Sequence, residues 1–300
     1  MKLNRTLVFS LCIVMAVAMA LGGSVAFLSA DDGDVNVMVV GNVQIEQNEY
    51  QRVDQTTANS ELEEFAQGKN LLPYVEKEGT LKLGQEVDGW NIQIRDESVI
   101  RNYVDKIVNV TNTSRTAAYV RTIIAFPTKG YSTKDAAYDE WLHWNGVSDT
   151  DTTPNNGWIW GKDETNEWPG NEDTWNAYYG LQINGEEYDV YVATNVDPLA
   201  AGATTAPSLV GIYMDKRVNS EILENGDVNY FIEVNGEKKN LGNIDQLEIL
   251  VLSQAVQASG FDSAWEAFEA AFPIDAEGEA LVAWLTKLTG PQTEEPGIGA

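Results

Sequence analysis

One histidine, His143, and one cysteine, Cys12, bound the chemistry open to this 300-residue chain. Zinc hydrolysis needs three protein ligands and an open position, usually with two or more histidines. A single histidine without an HExxH sequence leaves such a centre short of ligands. Serine and cysteine triads fail on the same count, since no histidine is spare to be oriented and Cys12 lies in an apolar N-terminal run. Acids are plentiful, 46 Asp and Glu against 19 Lys and Arg, yet no two stand out as the paired carboxylates of a glycosidase. His143, between Leu142 and Trp144, reads as a packed residue. The expectation is a protein without catalytic residues.

Binding chemistry is better represented. Six tryptophans, Trp141, Trp144, Trp158, Trp160, Trp168 and Trp175, fall between Glu140 and Gly180 among many Asp and Asn residues. Aromatic faces stack on apolar sugar faces while carboxylates and amides take hydroxyls, so Trp158 and Trp160 are candidate glycan contacts. The competing reading is that the tryptophans pin a long loop to the body of the domain. Within the same stretch, Asp149 and Asp151 open a run of alternating oxygen ligands suited to calcium. Pro154 and Trp160 stand where an EF-hand loop has its glycine and bidentate glutamate, so calcium is a weak expectation and no other cofactor is expected.

The elements that must position these residues have period two. Strand patterns cover Val35–Gln47, with a bend at Gly41-Asn42, then 104–113, 117–126, 187–194, 208–215, 229–236 and 245–258. Asn184-Gly185, Asn225-Gly226 and Asn235-Gly236 supply hairpin turns. The class is all-β, an antiparallel sandwich. Helices are late. Phe261, Trp265, Phe268 and Phe272 share one face, with Ser263 and Glu266 as a capping box and Pro273 as the stop. Leu281, Trp284, Leu285 and Leu288 repeat the spacing, and a short helix is expected within residues 60–75.

The N-terminus reads as a secretory signal. Lys2 and Arg5 precede an apolar run, Leu7 to Leu21. That run is shorter than a membrane span, which takes about 20 residues. Small-residue rules fit a cut after Ala26 or after Ala30 equally, and an uncleaved anchor is the alternative. The whole chain carries a net charge of −27; loss of Lys2 and Arg5 leaves 17 basic against 46 acidic residues, or −29. Such a surface excludes nucleic acid as a partner and makes self-association sensitive to salt. Sequons at Asn109 and Asn112 carry weight only in a host that glycosylates them. Without cysteine, the exported chain must hold together through its own core.

Four features resemble the TasA/camelysin-like family of exported bacterial proteins: the N-terminal "GGSVAFLSADDGDVNVMVVGNVQIEQNE", "IVNVTNTSRTAAYVRTIIAF" (107–126), "LSQAVQASGFDSAWEAF" (252–268) and their overall spacing. The resemblance implies a jelly-roll-like sandwich and a SipW-type signal peptidase. It also implies a cut after Ala26 that leaves Phe27 first, and a biofilm-matrix fibre subunit. Fibre subunits that lack an edge strand accept one from a neighbour, and Val35, Val37 and Val39 are candidate donor-strand residues. The expected layout is a signal peptide over 1–26, a sandwich over 27–289 with an insertion around 127–185 and helices around 261–288, and a disordered tail over 290–300. Expected partners are the chain itself, the signal peptidase, and matrix proteins or glycans, with localisation outside the cell. The alternatives are a surface glycan-binding protein using the Trp-rich insertion, and a camelysin-like metallopeptidase, which the single histidine disfavours.

Overall fold

The computed structural model describes residues 26–27, 37–54, 60–69, 71–76, 100–132, 141–145, 157–161, 176–244 and 247–289. The first sheet runs in the order β1 (Ala26–Phe27), β2 (Val37–Val40), β17 (Leu250–Gln257), β8 (Ala118–Pro127), β12 (Glu186–Asn195). Beyond β12 lie β10 (Trp158–Ile159) and β11 (Ala177–Ile183). The second sheet is ordered β4 (Leu62–Glu64), β3 (Ile45–Arg52), β7 (Val104–Asn112), β13 (Leu209–Met214), β9 (Leu142–Asn145). A three-stranded meander, β14 (Val218–Ile222), β15 (Val228–Val234) and β16 (Glu237–Gly242), adds Val218, Ile232 and Leu241 to the main core. A small pair, β5 (Val75–Glu76) and β6 (Ile100–Arg101), completes the described strands.

The two large sheets enclose that core. Val120, Ile124 and Phe126 of β8 share it with Val104, Val108 and Val110 of β7, the alternate residues that period-two patterning places on one face. The other residues of β8, Tyr119, Ile123 and Ala125, form a second apolar layer beneath helices α1 (Ala264–Ala271) and α2 (Glu279–Thr289). The expected all-β sandwich with a C-terminal helical segment is therefore present, in three layers. Among the described strands the pairings are antiparallel except one: β17 and β2 run parallel, from Ser253↔Val37 to Val256↔Val40, and an isolated parallel bridge joins Pro73 to Met214.

Local chemistry explains the ends of the elements. Ser263 caps α1 by accepting the Glu266 N–H at 3.2 Å. Glu266 reaches back to accept the Asp262 N–H at 2.8 Å, so both partners of the expected capping box are engaged. Asp275 accepts the N–H groups of Glu279 and Ala280 at 2.8 and 2.9 Å, which satisfies donors that the start of α2 would otherwise leave open. Asn184-Gly185 and Asn235-Gly236 adopt the paired left-handed conformation of two-residue hairpin turns.

Three expectations need correction. Residues 35–47 do not form one strand with a bend. β2 belongs to the first sheet and β3 to the second, and Gly41 (φ +93°) turns the chain between them. Residues 60–75 contain no helix among those described; Leu62–Glu64 instead pairs with Tyr50–Arg52 as the edge strand β4. The insertion around 127–185 is not without regular elements, because it supplies β9, β10 and β11. Asn176 N–H donates to the Trp160 carbonyl at 2.8 Å. β10 and β11 thus continue one another along β12, and the intervening residues leave from a single strand line.

Candidate functional site

The N-terminal strand is held at the rim of the first sheet by chemistry spread over both ends of the sequence. Val37 and Val39, 8% and 5% exposed, enter the core between the sheets, while Met38 enters the layer under the helices. Burial on both faces makes β2 an integral strand. Its inner edge is satisfied by β17. Its outer edge meets only β1 among the described residues, through Ala26↔Val39 and Phe27↔Met38. The expected cut falls between the two residues of β1.

The exit from β2 is tightly fixed. A Cβ on Gly41 would come within 2.8 Å of Gln257 Cβ. Glycine is required there both for its left-handed φ and for this close approach. Asn42 N–H donates to Gln257 Oε1 at 3.1 Å, and the Thr116 hydroxyl donates to the Asn42 carbonyl at 3.0 Å. At the opposite rim, β11 is interrupted by a register shift between Tyr178 and Leu181 around Gly180, whose φ is +69°. Bulges of this kind turn an edge away from pairing. The two rims of the first sheet are thus unlike: one is irregular, the other a regular strand covered, among the described residues, by Ala26 and Phe27.

Within the single chain Val37 and Val39, two of the candidate donor-strand residues, fill positions in their own sandwich; Val35 lies outside the described residues.

Trp158 and Trp160, the candidate glycan contacts, are 1% and 7% exposed. Trp158 Nε1 donates to the Ala206 carbonyl at 2.8 Å, and Trp160 lies 4.8 Å from Trp144, centroid to centroid. Trp144 in turn stacks on Phe126 at 5.4 Å and meets Tyr191 at 5.1 Å. Trp141, Trp144, Trp158 and Trp160 all belong to the core between the sheets, whereas Trp168 and Trp175 lie outside the described residues. Beside this cluster Phe126, Tyr131, Trp141 and Trp144 line a small cavity with the buried Asp189 at its wall. Asp189 accepts the Ser132 hydroxyl and the Gly180 N–H, each at 2.9 Å.

His143 is buried in β9, stacked on Tyr213 at 5.0 Å, with Nε2 2.8 Å from Asp215 Oδ2. Arg217 donates to the same carboxylate through Nε and its backbone N–H, both at 2.8 Å. Burial alone would raise the Asp215 carboxyl. The hydrogen bonds of His143 and Arg217, with the His143 charge, outweigh it and hold the group well below the usual carboxylate range. Among the described residues, no group of three or more His, Cys, Asp or Glu could hold a metal ion. Asp149 and Asp151, the calcium candidates, lie outside the described residues.

Sequence reasoning passed over Arg121 and Gln254. Both are buried on the helix-covered face of the first sheet. Desolvation pulls the Arg121 guanidinium down to about 9, against the opposing pull of Tyr178 and Glu269. The signal was present: an arginine in "AAYVRTIIAF" and a glutamine in "LVLSQAVQ" fall on positions that period two groups with the apolar Tyr119, Ile123 and Ala125 and with Leu250, Leu252 and Val256.

No family model and no curated protein matches the chain.

Proposed function

We propose that the chain is an exported, non-enzymatic structural subunit that polymerises by strand addition at the outer edge of β2. One observation carries the reading: that edge is covered by Ala26 and Phe27, which lie on either side of the expected cleavage point. Cleavage after Ala26 removes one of the two covering residues and frees the segment that follows. A regular edge strand with unpaired N–H and C=O groups then awaits a partner. The neighbour's freed segment, starting at Phe27, is the proposed occupant, since the same segment already pairs antiparallel with β2 within one chain. The resemblance to TasA/camelysin-like proteins supports the same cut and the same matrix role.

In this account the segment before β2 is the donor and β2 itself is the acceptor. Three chains test it under negative-stain microscopy. The chain starting at Phe27 should form filaments, faster at raised salt because its charge of −29, from 17 basic and 46 acidic residues, is screened. The uncut chain should not. A chain starting at Asn36 keeps the acceptor edge without the donor, so it should stay monomeric and block growth when mixed in at low ratio. Filaments from the Asn36 chain, or a monomeric Phe27 chain at high concentration and salt, would overturn the reading.

A further inference from the structure

Met38, Gln254 and Arg121 stand side by side across three strands, since Gln254 is the register partner of Met38 in β2 and of Arg121 in β8. Gln254 is fully buried and uses both ends of its amide. Its Oε1 accepts from Arg121 Nε at 2.6 Å, and its Nε2 donates to the Met38 thioether at 3.5 Å. Arginine cannot accept a hydrogen bond, so this orientation of the amide follows from the donor chemistry alone. Arg121 Nη2 then donates to the Phe272 carbonyl at 2.7 Å, and its guanidinium lies 4.5 Å from the Phe268 ring centroid and 5.7 Å from that of Trp284. Phe272 is the C-cap of α1, and Trp284 belongs to α2. An unbroken line of contacts runs from the edge strand to both helices.

We propose that β2 and the helix pair α1–α2 open and close as one cooperative unit, with Gln254 as the positioning residue that couples them. The consequence for assembly rests on the reading of β2 as the acceptor edge: a seated helix pair holds that edge in register, and a loosened pair releases it. The coupling has a plain physical origin. Withdrawing Met38 leaves the Gln254 N–H group buried without its acceptor and empties a place in the layer beneath the helices. If the amide turns to seek another partner, Arg121 loses its Nε acceptor and depends on the Phe272 carbonyl and the two rings. Buried polar chains of this kind fail together, because each group left unpaired in a low dielectric is costly. From the other end, moving the α1 C-terminus takes one acceptor from Arg121 and loads the whole burden onto Gln254.

Hydrogen exchange on dilute, unpolymerised chain tests the coupling, so its outcome is separate from that of the filament assay. Met38→Ala should raise exchange several-fold in β2 and in residues 264–289 together. Gln254→Glu keeps an acceptor for Arg121 but cannot donate to Met38, so it cuts the line at one point. In that background, Met38→Ala should raise exchange in β2 as before but move residues 264–289 several-fold less than in the natural chain, leaving only the packing share of the response. If Gln254→Glu does not fold, Gln254→Met, similar in length and unable to donate, cuts the line at Met38 and at Arg121 together, and Met38→Ala in that background should again move residues 264–289 less than in the natural chain. The proposal is overturned if Met38→Ala loosens β2 with the helices unaffected. It is equally overturned if the helices respond to Met38→Ala as strongly in either position-254 variant as in the natural chain.

Discussion

His143 Nε2 and Asp215 Oδ2 lie 2.8 Å apart at the edge of the second sheet, and Arg217 closes on the other carboxylate oxygen at the same distance. The Asp215 carboxyl is held below its ordinary range, so the folded state favours its charged form. Stability from this group is fully present above the ordinary carboxylate range and is lost as pH falls through that range toward the lower folded value. Asp215→Asn should cost about 3 kcal/mol at neutral pH, the low end for removing a buried partner, because Arg217 is partly solvated. The variant should also show a flatter acid limb when unfolding free energy is measured from pH 7 to pH 3. An unchanged acid limb would remove this pair from the account of acid stability.

Val37→Asp with Val39→Asp should destabilise the single chain itself. Both side chains are buried in the core between the sheets, and each buried carboxylate without a partner costs several kcal/mol. Loss of filaments in this double variant would therefore accompany a fall in thermal midpoint. A double variant with a normal midpoint would show that β2 is not seated in its own sandwich.

Trp158→Ala and Trp160→Ala should act on stability before they act on any ligand. Removing a buried tryptophan costs about 3–5 kcal/mol, and both rings are enclosed. Thermal melts should show the loss, and any change on a glycan array should follow unfolding. Normal melts with selective loss of sugar binding would restore these residues as contacts.

A stop after Gly260 should give a chain that exposes the outer layer of the first sheet. Phe268, Phe272, Leu281 and Leu285 disappear from that layer, each worth about 1.5–3 kcal/mol when buried. Strong binding of a hydrophobic dye and aggregation during purification are the expected readouts. A soluble truncated chain with a native melt would mean that the helices are dispensable to the sandwich.

Much of the architecture is legible in the sequence where period-two runs end in turn residues. β7, β8, β12, β13 and β15 begin and end within two residues of the expected positions, β17 begins at Leu250 inside the expected 245–258, and the α1 cap is written in Ser263 and Glu266. Legibility fails where one local pattern serves two sheets. Nothing in "VNVMVVGNVQIEQ" distinguishes a bend within a strand from a crossing between sheets. That choice is set by Gln257, which holds the Asn42 N–H from the far end of the chain. It fails again in the Trp-rich stretch, where Asp, Asn and Gly hide β9 and β10 and where tryptophan suits a core as well as a sugar surface. The candidate site was legible only in part: the expected cut and the strand after it could be named, whereas the pairing of Ala26 and Phe27 with the outer edge of β2 is set by tertiary structure.

The parallel pairing of β2 with β17 has a mechanical meaning. β2 precedes the other long strands of the first sheet and β17 is its last strand in chain order, and they run side by side in the same direction. Tension applied between the ends of the chain would first peel away α1 and α2, which follow β17. It would then pull β2 from its beginning and β17 from its end, in opposite directions along their shared ladder. Under that load the four register pairs from Ser253↔Val37 to Val256↔Val40 are sheared at once, whereas a hairpin pulled from its open end unzips one pair at a time. Single-molecule stretching should therefore show a weak early event and then a rupture peak that Val37→Asp lowers. A chain wired in this way resists being drawn out lengthwise from its two ends.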